Sequence, residues 1–428
     1  LSRVMRLDVA SGAVKALTPH DRFEGYATFS PDGSRVAYLY SRDGDPESEN
    51  EIYVTAAAGG EGQDVSRALD RNVYRALWLP GGALLTGAHD GTHSSLYRIA
   101  SNGSSARVDT GAVSPVVSYW FDASTGPNGA YAFVGSEPRH PSELFYASSV
   151  GTKPRRLTDY NAEIATREQG RSEEILWTGP EGQREDGVLT YPPDYTAGRK
   201  YPLVTFVHGG PTAASLTGFS LVPQEFAARG IVVFEPNYRG SDNLGNAYQR
   251  SIYDDAGAGP GRDVMAGLAA VEAKGFVDTS RIAVAGWSYG GFMTTWLMGH
   301  YHVWKTAIAG AAVTNWLDMY NLGDGSVSIA LGFKGSPYVG DNMRDYIAQS
   351  PITEAGKTTC PVLIMHDVDD VRVPITQSYE LYHDLVDNHV PVTFVGIPIA
   401  GHNPSDPVRV IEREARFGAW LSDHLATR

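Results

Sequence analysis

The chain has 428 residues, 42% of them apolar and 20% charged, with a formal net charge of -14. That is a globular composition with length for two or three domains; its acidity repels phosphate backbones and so excludes nucleic acid as an expected partner, and no apolar run of about 18 residues is present to span a membrane as a helix. Cys360 is the only cysteine, which excludes an intrachain disulfide and a cysteine zinc cluster and leaves the compartment, cytoplasmic or bacterial periplasmic/secreted, open.

Residues 1–165 read as all-β, with short alternating runs between Gly, Asn, Asp and Ser clusters. Pro-x-Gly turns beginning at Pro31, Pro80 and Pro127 recur 47 to 49 residues apart, each followed by an apolar strand (35–40, 83–86, 130–133) and a second one (51–54, 95–99, 143–146). Such a period with about four strands per unit predicts β-propeller blades, about three plus a partial one, since 6–9 reads as a closing strand alone. A polar segment, 157–172, is the expected linker.

From 166 to 428 strands alternate with helices, which predicts a mostly parallel, doubly wound α/β sheet. Expected strands are 202–207, 231–235, 282–285, 306–309, 362–365 and 392–397; expected helices are 224–229, 261–274, 290–299, 375–388 and 408–425.

The second half carries the chemistry. Gly286-Trp287-Ser288-Tyr289-Gly290 lies between the apolar strand 281–285 and a helix, the setting of a nucleophile elbow in the α/β-hydrolase fold, with Ser288 as nucleophile. That fold orders its residues Ser, acid, His. After strand 362–365, Asp367, Asp369 and Asp370 compete for the acid role, and position in the loop favours Asp370. Among His383, His389, His402 and His424, only His402 sits in a Gly-bounded loop after a strand, which makes it the expected base. Two N–H donors should face the developing oxyanion: that of Tyr289, and one from His208-Gly209-Gly210-Pro211, with Gly210 favoured and Gly209 the alternative. Arg239, in Asn237-Tyr238-Arg239-Gly240-Ser241, is a candidate for substrate binding or a structural ion pair; Trp287, Trp316, Tyr320 and Phe333 are candidates for a pocket wall or for core. No metal-ligand motif stands out and no cofactor is expected.

Taken together, His208-Gly-Gly-Pro211, Pro236-Asn-Tyr-Arg-Gly-Ser241, Gly286-Trp-Ser-Tyr-Gly-Gly291, Asp370-Val-Arg-Val-Pro374 and Gly401-His402 resemble the prolyl oligopeptidase family of serine peptidases, in its dipeptidyl-peptidase and acylaminoacyl-peptidase branch. The resemblance covers nearly all of 175–428, assigns the acid role to Asp370, and places a propeller before the hydrolase domain. It implies a cofactor-free peptidase that cuts short peptides through an acyl-enzyme, the propeller admitting only short or unfolded chains. The family usually has Gly at the position of Asp367, and no glutamate pair of the kind that dipeptidyl peptidases use to hold a free amino end stands out in 1–165. The rival readings are a carboxylesterase or lipase with the same three residues, and an inactive propeller scaffold. Three blades and a partial one do not close a ring, so the further expectation is that roughly 150 to 200 residues N-terminal to Leu1, as a bound fragment, a separate chain or sequence beyond this one, complete it, with a second copy of this chain (a homo-oligomer) as the alternative.

Overall fold

The computed structural model describes residues 2–117, 121–403 and 406–426, which fall into two compact units. The first comprises Leu1–Arg167 with Leu216–Phe219 and Asp242–Arg250. It holds three antiparallel meanders: Glu24–Phe29, Arg35–Ser41, Asn50–Ala56, Gln63–Asp64; then Leu77–Trp78, Leu84–Asp90, His93–Ile99, Ser105–Arg107; then Tyr131–Glu137, His140–Ala147, Arg155–Arg156, with Ser114–Pro115 and Ala123–Thr125 both pairing with Tyr131–Glu137. The strand Met5–Leu7 pairs with Val14–Ala16 in a separate two-stranded ribbon. The Pro-x-Gly turns need a left-handed residue, and Gly33, Gly82 and Gly129 supply it at φ 71°, 79° and 80°.

Why these meanders stack follows from the alternation of side chains along a strand. Leu84 of the second meander packs with Ala37, Leu39 and Ile52 of the first, whereas its neighbour Leu85 packs with Tyr131, Phe133 and Phe145 of the third. The inner strand Leu84–Asp90 is therefore apolar on both faces, as expected of propeller-like sheets. Asp242 is buried in this unit and accepts hydrogen bonds from Asn72 Nδ2 (3.2 Å), Tyr74 Oη and His89 Nδ1 (2.8 Å). His89 Nε2 donates to Val117 O at 2.7 Å. Burial opposes charge here, yet the His89 partner holds Asp242 down at about 2, and Asp242 in turn raises His89.

The second unit comprises Glu168–Ser215, Ser220–Ser241 and Ser251–Arg428. Its eight-stranded sheet has the order Ser172–Thr178, Arg184–Thr190, Val232–Pro236, Tyr201–Val207, Val277–Trp287, Thr306–Gly310, Val362–Asp369, Val392–Ala400. The first two junctions are antiparallel and the remaining five parallel. All six strands expected in this half are present. The two antiparallel strands, Ser172–Thr178 and Arg184–Thr190, were not expected; the second opens on the polar run Arg184-Glu185-Asp186, whose two carboxylates are buried in the fold and hydrogen-bonded: Trp177 Nε1 donates to Glu185 at 2.5 Å and Asn237 Nδ2 to Asp186 at 2.7 Å. Helices Ala258–Glu272 and Tyr289–His300 pack on one face of the sheet, with Val264, Leu268, Phe292 and Met293 in its core; Leu221–Ala228 and Pro407–Leu425 cover the other through Phe226, Phe417 and Leu421. Short helices at Trp316–Leu322, Ser326–Gly332 and Asn342–Ala348, too brief for a periodic signal, follow the Thr306–Gly310 strand.

The helix after Ser288 touches the sheet backbone to backbone. A Cβ on Gly291 would lie 2.3 Å from Gly310 O and 2.8 Å from Ala312 Cα. Helix propensity alone favours Ala over Gly by about 1 kcal/mol. Gly291→Ala should nevertheless destabilise the protein by about 2 kcal/mol or more, because backbone atoms cannot step aside. Denaturant unfolding measures the sign; a stabilised variant would contradict this packing.

Candidate active site

Ser288 lies between the end of the Val277–Trp287 strand and the start of the Tyr289–His300 helix, at φ 64° and ψ -122°. For a residue with a Cβ this is a strained conformation, and it persists only where neighbours over-determine it. The neighbours are glycines for a measurable reason: a Cβ on Gly286 would meet Gly290 C at 2.5 Å, and one on Gly290 would meet Val207 O at 2.1 Å. Ser288 N–H donates to Gly310 O at 2.9 Å, which ties the turn to the adjacent strand.

Three side chains expected to act together are linked. His402 Nε2 lies 2.7 Å from Ser288 Oγ, and His402 Nδ1 lies 2.6 Å from Asp370 Oδ2. The carboxylate can only accept, so Nδ1 carries the proton and Nε2 is left to accept from the serine hydroxyl. Asp370 Oδ1 accepts the backbone N–H of Arg372 (2.8 Å) and Val373 (3.0 Å). Burial works against ionisation of Asp370, but the His366 and His402 imidazoles and the Val373 N–H hold its pKa well below the usual carboxylate range. Asp369 is exposed, whereas Asp367 is buried.

His366 was not singled out by sequence reasoning. It is fully buried, with Nε2 donating to Val373 O at 2.8 Å, Nδ1 bonded to Ser378 Oγ at 2.6 Å, and Nε2 standing 3.6 Å from Asp370 Oδ2. It thereby braces the loop that carries Asp370. Its strand-end position before an acidic loop was the available signal.

Trp287 is half-buried and donates from Nε1 to His402 O at 3.0 Å, so it steadies the loop that bears the imidazole. The loop after the Tyr201–Val207 strand comes up against the nucleophile: a Cβ on Gly209 would lie 3.3 Å from Ser288 Cβ, and Gly210 adopts φ 127°. Asn237 anchors that loop, accepting Ser215 N–H at 2.7 Å and donating to Ser215 O at 3.2 Å. Tyr289 opens the helix, where first-turn N–H groups have no partner within the helix. Its side chain is buried and donates to Ala256 O at 2.5 Å.

Arg239 lies apart from this chain of hydrogen bonds. Its guanidinium meets Asp263 at 2.7 and 2.8 Å and both oxygens of Glu181 at 3.1 Å, and only 8% of the side chain is exposed. Its charge is thus committed to two carboxylates. Burial, reinforced by Asp263, pushes the adjacent Glu185 up to about 8. Of the aromatic candidates, Trp316 and Phe333 are buried core, and Tyr320 borders a cavity of about 480 Å³ with Tyr253, Val327, Leu331 and Lys334. Among the described residues, His140, Glu143 and Asp159 are grouped closely enough to hold a metal ion, but Asp159 pairs with Arg156 at 3.3 Å and Glu143 accepts from Thr158 and Asn161.

Residues 217–428 match the model of the prolyl oligopeptidase family. The uncharacterized peptidase YuxL of Bacillus subtilis is 30% identical over 299 residues, which are 68% of this chain and 45% of that protein. Dipeptidyl-peptidase 5 of Aspergillus oryzae is 28% identical over 420 residues, 94% of this chain and 56% of that one. Among solved structures, an acylaminoacyl peptidase of Pyrococcus horikoshii superposes with a TM-score of 0.84 at 23% identity, over 97% of this chain and 65% of that one. The chain therefore spans about half the length of these curated relatives.

The geometry around Arg239 generates a test of its role. Arg239→Met strands the fully buried Asp263 without its counter-ion, and should cost about 3–5 kcal/mol in denaturant unfolding. Unchanged stability together with a KM raised several-fold would instead place the guanidinium on substrate.

Proposed function

Because the chain belongs to the prolyl oligopeptidase family of serine peptidases, we propose that it hydrolyses short peptides, with Ser288, His402 and Asp370 as its catalytic groups. The observation that carries this reading is the hydrogen-bonded chain from Ser288 Oγ through His402 to Asp370, mounted on a strained strand-to-helix turn. Ser288 Oγ attacks the carbonyl carbon of the scissile amide while its proton passes to His402 Nε2. The N–H groups of Tyr289 and Gly210 hold the tetrahedral oxyanion. The C–N bond then breaks as the imidazolium returns the proton to the leaving amine, and the acyl group stays on Ser288. Water, deprotonated by the same imidazole, releases the acid in the second half of the cycle.

Asp370 serves by fixing the Nδ1–H tautomer and by stabilising the imidazolium, a task for which its depressed pKa keeps it ionised throughout the working pH range. Peptide chemistry is the favoured acyl class because curated relatives include dipeptidyl-peptidase 5 proteins and an acylamino-acid-releasing enzyme. A carboxylesterase would use the same three residues, and the comparison of a peptide p-nitroanilide with a p-nitrophenyl ester of the same acyl group separates the two.

Ser288→Ala should lower peptide hydrolysis by about 10⁴-fold or more with the unfolding midpoint unchanged. Asp370→Asn should cost about 10⁴-fold, and Asp369→Asn, whose side chain is exposed, little. Steady-state kinetics on a p-nitroanilide peptide decides both; near-normal turnover by Ser288→Ala would overturn the reading.

A further inference from the structure

Tyr238 joins two stretches of backbone that approach Ser288 from different elements. It follows the Val232–Pro236 strand and is fully buried. Its ring stacks on the His208 imidazole, with centroids 4.4 Å apart and planes inclined by 16°, and on the Tyr289 ring at 5.5 Å and 22°. Its hydroxyl donates to His208 O at 2.7 Å. His208 Nδ1 in turn lies 2.8 Å from Gly209 O. A carbonyl can only accept, so Nδ1 carries the proton and Nε2 accepts from Ser241 Oγ at 3.0 Å. Ser241 Oγ accepts the Tyr238 N–H at 3.2 Å, and the Ser241 N–H donates to Tyr238 O at 2.9 Å, which closes the circuit. The turn that carries Tyr238 is anchored further by its next residue, Arg239, through Asp263 and Glu181.

We propose that Tyr238 is a positioning residue of the oxyanion site, one side chain that sets the direction of the N–H donors on both arms, through His208 and through Tyr289. The inference rests on the reading of Ser288 as nucleophile, with Tyr289 and Gly210 as donors, given above. The peptides 208–209 and 209–210 are trans, and in a planar trans peptide the N–H and C=O point opposite ways. By holding His208 O, the Tyr238 hydroxyl therefore fixes the direction of the Gly209 N–H. By holding Gly209 O, the His208 imidazole, itself stacked on the Tyr238 ring, fixes that of the Gly210 N–H. This backbone runs beside the nucleophile: a Cβ on Gly209 would lie 3.9 Å from Ser288 Oγ. The same Tyr238 ring packs on Tyr289, whose N–H is the donor of the other arm. An oxyanion donor acts at full strength only when its direction is set before the charge forms. A peptide left free to turn must reorganise at that moment, and the supporting contacts of Tyr238 remove that cost.

The test compares wild type with Tyr238→Phe and His208→Phe, each of which keeps a stacked ring and loses hydrogen bonds of the circuit. It reads kcat and KM on a peptide p-nitroanilide, and the inhibition constant of a peptidyl trifluoromethyl ketone. Ser288 Oγ adds to the carbonyl carbon of that ketone as its proton passes to His402, which leaves a tetrahedral oxyanion in the site. Both variants should lower kcat by about tenfold or more, short of the roughly 10²- to 10³-fold that removal of a donor costs. KM should stay within about twofold of wild type, because the loss falls on the transition state. The ketone should bind more weakly by the same factor as kcat falls. Unchanged kcat and ketone affinity in Tyr238→Phe would overturn the proposal while leaving the catalytic reading intact, as would a raised KM at unchanged kcat. A fall in kcat without a matching loss of ketone affinity would also overturn it. So would loss of the folded state in both variants, by making the circuit structural. A wild-type protein that fluorophosphonates fail to label at Ser288 would instead sink the catalytic reading, and the inference with it.

Discussion

The molecule's chemistry depends on a steric constraint at one turn. The Val277–Trp287 strand must reverse into the Tyr289–His300 helix within a single residue, with Val207, Gly290 and Gly310 all in backbone contact range. Only glycines at 286, 290 and 291 permit that approach, and Ser288 is forced into a positive φ as a result. The strain lifts Oγ out of the sheet edge toward His402. The loops after the Val362–Asp369 and Val392–Ala400 strands bring Asp370 and His402 to the same edge.

Electrostatics at that edge are arranged by burial. Asp370 is charged in a buried position because two backbone N–H groups and two imidazoles compensate for lost hydration. Glu185, buried beside Asp263, takes the other course and keeps its proton to higher pH. Arg239 balances Asp263 and Glu181 and so fixes the loop after the Val232–Pro236 strand. Asp367 belongs to neither class, being buried with no hydrogen-bond partner among the described residues.

The first unit follows a different logic. Its middle meander buries side chains on both faces, Leu84 toward the first meander and Leu85 toward the third, so apolar side chains on alternating positions join the three. Into this unit the chain later returns at Asp242–Arg250, and the anchoring there is polar: His89, Tyr74 and Asn72 converge on one buried carboxylate. A buried aspartate with three hydrogen-bond donors cannot be told from a surface one by composition, and the first unit takes in residues 216–219 and 242–250 from later in the chain.

What the sequence determined by itself was local. Period-two and helical patterns, Pro-x-Gly turns and the Gly-x-Ser-x-Gly-Gly run are short-range signals, because each reflects sterics within a few residues. They gave the meanders, the six parallel-region strands, and Ser288, Asp370 and His402 as candidates. What tertiary structure decided was the fate of charges. Arg239 is neutralised by residues 24 and 58 positions away, the Arg184–Thr190 strand hides its carboxylates against Trp177 and Asn237, and His366 braces Asp370 through Val373. Asp367 reads in the sequence as one of three loop aspartates, yet in the fold it lies on the Val362–Asp369 strand, buried and with no hydrogen-bond partner among the described residues. Desolvation and pairing depend on what lies across space, and no local pattern of residues carries that information.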